Sequence, residues 1–72
     1  MVRYVRCINI LREIPDITVG KVYKLVRYHQ ESYDVINNFG KLDNNYKMEL
    51  FEVLNPLETQ LYLAKERLHD QK

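Results

Sequence analysis

Apolar and polar positions alternate along Tyr4-Val5-Arg6-Cys7-Ile8-Asn9-Ile10, placing Val5 and Cys7 on one side of an extended chain and Tyr4 and Arg6 on the other. This period of two predicts a first strand. From Leu11 to Asp16 the alternation breaks, and Pro15 holds Ile14 extended and removes a backbone donor, so the segment reads as a long connecting loop. A second strand follows over Val22-Tyr23-Lys24-Leu25-Val26-Arg27, launched from a turn in which Gly20 supplies a positive φ. Tyr28 to Ser32 is a polar turn, Tyr33 to Asn37 predicts a third strand, and Asn38-Phe39-Gly40 carries the chemistry of a tight hairpin. Lys41 to Tyr46 returns as a fourth strand despite the poor β propensity of Asp43, Asn44 and Asn45. Lys47 to Leu50 has the length of one helical turn and predicts a 3₁₀ step into a fifth strand, Phe51 to Leu54. The inward set is expected to be Val5, Cys7, Tyr23, Leu25, Val35, Leu50 and either Phe51 or Val53.

At Asn55-Pro56-Leu57-Glu58 the period changes to that of a helix. Asparagine caps, proline suits the first helical position, and a glutamate three residues after the cap reaches back to it. The helix is predicted to run to about His69. Leu57, Leu61, Ala64 and Leu68 form one apolar stripe, expected to bury against the chain's own sheet or against a second copy. Tyr62 and Leu63 lie off that stripe and are expected to be free to meet a partner.

The order of elements, and in particular Ile17-Thr18-Val19-Gly20-Lys21-Val22-Tyr23-Lys24-Leu25 and Lys47-Met48-Glu49-Leu50-Phe51-Glu52-Val53-Leu54, resembles the SH3-like barrels. The first segment is similar to the diverging turn and second strand of that fold, the second to its closing 3₁₀ turn and last strand. The resemblance implies a mainly β fold, a five-stranded SH3-like barrel over 1–54, with an added C-terminal helix over 55–72. The Val-x-Cys-Ile run and the Thr-Val-Gly-Lys-Val-Tyr segment are also similar to those of short barrel proteins of phages and their bacterial hosts. Signalling SH3 domains grip proline-rich peptides in an aromatic groove. Here the first loop has no aromatic residue between Leu11 and Asp16, Tyr33 stands where the tryptophan pair would begin, Tyr46 falls near the groove proline, and Leu50 replaces the final tyrosine. Peptide specificity therefore does not follow from the fold.

With 72 residues, one small core is all the chain supports, which disfavours catalysis because a scaffolded cleft needs more surrounding structure. Residues 1 to 30 hold six basic and two acidic side chains, for +4; residues 31 to 72 hold five basic and eight acidic, for −3. The overall formal charge of +1 does not advertise nucleic acid. Cys7 is the only cysteine and is read as a buried structural thiol, so neither a disulfide nor a nucleophile paired with His29 is expected. His29 and His69 lack paired ligand spacing, and no metal, cofactor or catalytic residue is assigned. The N-terminal run lacks the unbroken apolar stretch of a secretory signal, and no stretch approaches membrane-spanning length, so a cytoplasmic location is expected, the host cytoplasm if the chain is phage-encoded.

Six tyrosines without tryptophan stand out, because tyrosine buries much area at little entropic cost and keeps a polar tip. The leading expectation is a small non-catalytic protein-interaction module, a phage accessory protein that binds and modulates a host protein or defence factor. Its contact residues are Tyr28, Tyr33 and Tyr46, or the helix face of Tyr62 and Leu63, with a homodimer through the C-terminal helix as a further option. The alternative is a weak nucleic-acid binder using Arg3, Arg6, Lys24 and Arg27 on phosphates, with a tyrosine stacked on a base.

Overall fold

β-branched and aromatic residues build the sheet, and glycines allow its turns. In the computed structural model, which describes residues 3–11 and 13–69, the order is β1 (Arg3–Cys7), β2 (Val22–Tyr28), β3 (Ser32–Ile36), β4 (Leu42–Lys47), a 3₁₀ turn (Met48–Leu50), β5 (Phe51–Val53) and α1 (Pro56–His69). Residues 1, 2, 12 and 70–72 lie outside the described residues. The chain is mainly β, with five antiparallel strands in the order β4-β3-β2-β1-β5 and one C-terminal helix. β1 is shorter than the alternation predicts: Ile8 leaves the ladder, its amide and that of Asn9 both donating to the Leu50 carbonyl, and its side chain is exposed.

Register decides which side chains meet. Val5 faces Tyr23 on β2 and Val53 on β5, while Arg6 faces Val22 and Glu52. The buried cluster joins Val5 and Cys7 of β1, Tyr23 and Leu25 of β2, Tyr33 and Val35 of β3, Leu50 and Phe51, with Ile17 reaching in from the first loop. Of the pair offered by the sequence, Phe51 is the core residue; Val53, on the three-residue edge strand, remains exposed. The ladder is open, with β4 and β5 as its edges. The ring of Tyr46 on β4 nonetheless lies 5.9 Å from that of Phe51 on β5, so the sheet curls until its edges share one core.

Gly20 (φ 89°) and Gly40 (φ 72°) occupy the left-handed region that their turns require. The β3–β4 turn is tightened by Asn37, whose side-chain oxygen accepts from the amides of Phe39 and Lys41. Among the described residues no helix is long and apolar enough to cross a membrane.

Candidate interaction surface

The helix is set on the sheet by polar fasteners and one aromatic pair. Asn55 Oδ1 accepts from the Glu58 amide at 2.8 Å and Glu58 Oε1 accepts from the Asn55 amide at 3.2 Å, completing the capping box expected from the sequence. Arg6, on the outer face of β1, donates to Glu52 at 2.9 Å and to Glu58 at 3.3 Å. One turn further along α1, the ring of Tyr62 packs on Tyr4 with centroids 5.2 Å apart. Leu54, just before the helix, is buried.

Of the two coverings expected for the stripe, the chain's own sheet does not supply one. Glu58, Thr59 and Tyr62 are the partly buried side of the helix, and the sheet leaves the leucine stripe uncovered: Leu57, Leu61 and Leu68 are 66%, 57% and 70% exposed, Leu61 bordering the open groove toward β2. Tyr62, expected to be free for a partner, is instead half-buried, and burial pushes its phenol pKa up. Leu63 retains a partly exposed side chain on the flank. Periodicity identifies an apolar face but not what covers it; here the covering side was chosen by Arg6 and Tyr4. The signal that would have found the outward stripe is its 4-3-4 spacing, the spacing of a two-helix seam.

Between α1 and β2 the fold leaves an open groove of about 440 Å³ beside Lys21, Val22, Leu61 and Lys65. Its edge is continuous with the stripe.

Tyr28, Tyr33 and Tyr46 are brought side by side by register, Tyr28 opposite Tyr33 and Tyr33 opposite Tyr46. Only one of the three offers its ring to a partner. Tyr33 is buried edge-on against Phe51, which removes it from the contact set. Tyr46 is half-buried, its hydroxyl donating to Asp43 at 2.7 Å, and burial together with that carboxylate pushes its pKa well up. Tyr28, at the end of β2, is 68% exposed.

Register sets the four basic residues against different neighbours. Arg3 lies opposite Leu25, Lys24 opposite Tyr4 and Arg27 opposite the buried Asp34. Arg6 is already shared by two carboxylates, which raise its pKa. Cys7 is fully buried, donates to the Asn9 carbonyl and has its pKa raised by burial, the opposite of a reactive thiolate. His29 Nε2 lies 2.9 Å from Asp34 Oδ2, fastening the β2–β3 turn. Among the described residues no three His, Cys, Asp or Glu side chains group as metal ligands would.

Two carboxylates link this surface to pH. Glu58 titrates below its ordinary range because the Asn55 amide and then Arg6 stabilise its charge, and Asp43 does so chiefly through the Tyr46 hydroxyl. Both folded pKa values are depressed, so the stability they contribute is present above the ordinary carboxylate range of about 4 and is lost as pH falls through the lower folded values. Melting curves between pH 5 and 3 should therefore shift less for Glu58→Gln, which keeps a capping side chain, than for the parent. Parallel shifts would mean that the Glu58 pairing contributes nothing to acid sensitivity.

Fold and surface together define a small, mainly β domain carrying a helix whose apolar side is uncovered. Compared with protein-family models, with curated proteins and with solved structures, the chain matches none.

Proposed function

We propose that this chain is a non-catalytic protein-interaction module built on an SH3-like barrel, and that the outward stripe of α1 is its contact surface. One observation carries the reading: three leucines on one helix face stay more than half exposed although the helix is fixed in place by a capping box, an ion-pair cluster and a tyrosine pair. A contiguous apolar strip on an anchored element is how interaction sites announce themselves. The strand order β4-β3-β2-β1-β5 and the Tyr46–Phe51 contact between edge strands support the barrel. The resemblance of the short Val-x-Cys-Ile and Thr-Val-Gly-Lys-Val-Tyr runs to those of phage barrel proteins is what suggests a cytoplasmic accessory role on a host protein. A nucleic-acid role is the weaker reading, since Arg6 is engaged by two carboxylates and the formal net charge is only +1.

Leu61→Glu tests the reading. The variant should fold like the parent, because Leu61 is largely exposed, yet lose proteins that the parent captures after nuclease treatment. Capture that is unchanged by Leu61→Glu, or that disappears with nuclease alone, would overturn it.

A further inference from the structure

We infer that the stripe is the seam of an antiparallel helix pair formed by two copies of this chain. The inference rests on reading the stripe as an interaction surface and adds its occupant. Leu57, Leu61, Ala64 and Leu68 follow the 4-3-4 spacing that keeps side chains on the line between two helices, so they occupy d, a, d and a of a heptad. In that frame Glu58 and Lys65 are e positions and Gln60 and Arg67 are g positions.

Orientation follows from size and charge. In an antiparallel pair Leu57 meets Leu68 of the second copy and Leu61 meets its Ala64, so every layer holds at least one leucine. A parallel pair would stack Ala64 on Ala64 and leave a gap in the middle of a short seam. Antiparallel packing also brings e positions together, placing Lys65 of the second copy over Glu58, and the reverse by symmetry.

The charges there are complementary. Arg6 is shared by Glu52 and Glu58, so that cluster keeps one negative charge in excess. Lys65 has no carboxylate within ion-pair distance among the described residues. A parallel pair would set Lys65 beside the neutral Gln60 instead. The polar fasteners and the Tyr4–Tyr62 pair meanwhile hold the helix in place while its leucines stay exposed, so the seam is available in the folded monomer. The 14-residue helix is about 21 Å long, which makes the contact small, and self-association at about 10 to 100 µM is expected rather than a tight dimer.

Sedimentation of the full chain between about 5 and 500 µM reads the outcome, a span that brackets that affinity. The parent should pass from monomer to dimer, and Leu61→Glu or Leu68→Glu should remain monomeric with the parent's circular dichroism. Lys65→Glu should weaken the dimer roughly five-fold at low salt, with the difference shrinking as salt rises. Under oxidation, Leu57→Cys combined with Leu68→Cys should cross-link two copies whereas Leu57→Cys alone should not; Cys7 is buried and does not compete. A parent that stays monomeric throughout, a dimer indifferent to both glutamates, or cross-linking by Leu57→Cys alone would overturn the inference. Monomeric behaviour with Leu61-dependent capture of another protein would sink only the self-pairing, whereas monomeric behaviour with Leu61-independent capture would sink the interaction reading as well.

Discussion

Phe51→Ala is expected to leave a chain that is mostly unfolded at room temperature. The Phe51 ring is the hub of the core: Tyr23, Tyr33 and Tyr46 meet it with centroids at 6.4, 6.2 and 5.9 Å and with tilted or edge-on planes. Removing it costs about 3–5 kcal/mol through lost burial and the cavity left behind, and each edge contact contributes about 0.5–1.5 kcal/mol. A domain of this length has only about 4–11 kcal/mol in all. The loss is also architectural, because Phe51 belongs to an edge strand and holds both ends of the curled sheet on one core. Val53→Ala, two residues along the same strand, is the matched control, since Val53 is exposed and its truncation should change stability by about 0.5 kcal/mol or less. Urea unfolding followed by circular dichroism decides it: equal midpoints for Phe51→Ala and Val53→Ala would refute the hub.

Asn38→Ala should cost about 2–3 kcal/mol, because one side chain ties the first loop to the β3–β4 turn. Its amide group donates to the Pro15 carbonyl at 2.9 Å and to Thr18 Oγ1 at 3.1 Å, while its oxygen accepts from the Tyr23 hydroxyl at 2.7 Å. The Tyr23 hydroxyl in turn accepts from the Thr18 amide at 2.7 Å, so losing Asn38 strands the proton of a buried phenol. Tyr23→Phe should cost less, and the double variant should show a coupling of about 1 kcal/mol, since both singles break the same bond. Hydrogen exchange offers an independent reading, with faster exchange expected at the Thr18 amide in Asn38→Ala. Additive single effects together with unchanged exchange would show that the first loop holds its shape without Asn38.

Alternation made β1 and β2 legible because their buried residues, Val5 and Cys7, Tyr23 and Leu25, recur at every second position. β3 was legible by composition only: Asp34 is buried between Tyr33 and Val35, so both of its faces are covered and no alternation marks the inner one. β4 forms as an edge strand despite its asparagines and aspartate, since cross-strand pairing with β3 overrides weak propensity. Ile17 could not be assigned to the core from its neighbours, because a loop residue's burial depends on where the loop folds back, here through Asn38 and Tyr23. In the candidate surface, the capping box and the apolar stripe were legible, but the direction of the stripe was not. That direction depends on Arg6 and Tyr4, some fifty residues away in sequence, and local periodicity carries no record of them.

Because β1 pairs with β2 on one side and with β5 on the other, Val5 must find both Tyr23 and Val53. The first partner is close in sequence and the second is near the end of the chain. Loop-closure cost is lowest for the β2–β3–β4 meander, moderate for β1 on β2 and highest for β1 on β5, so the β1–β5 ladder is expected to form last. Until then β1 presents a bare edge to other nascent copies, a period of exposure that ends when β5 arrives. The helix follows that strand directly, so the segment that covers the free edge of β1 also carries the leucine stripe, and pairing of β5 fixes where the stripe stands on the domain.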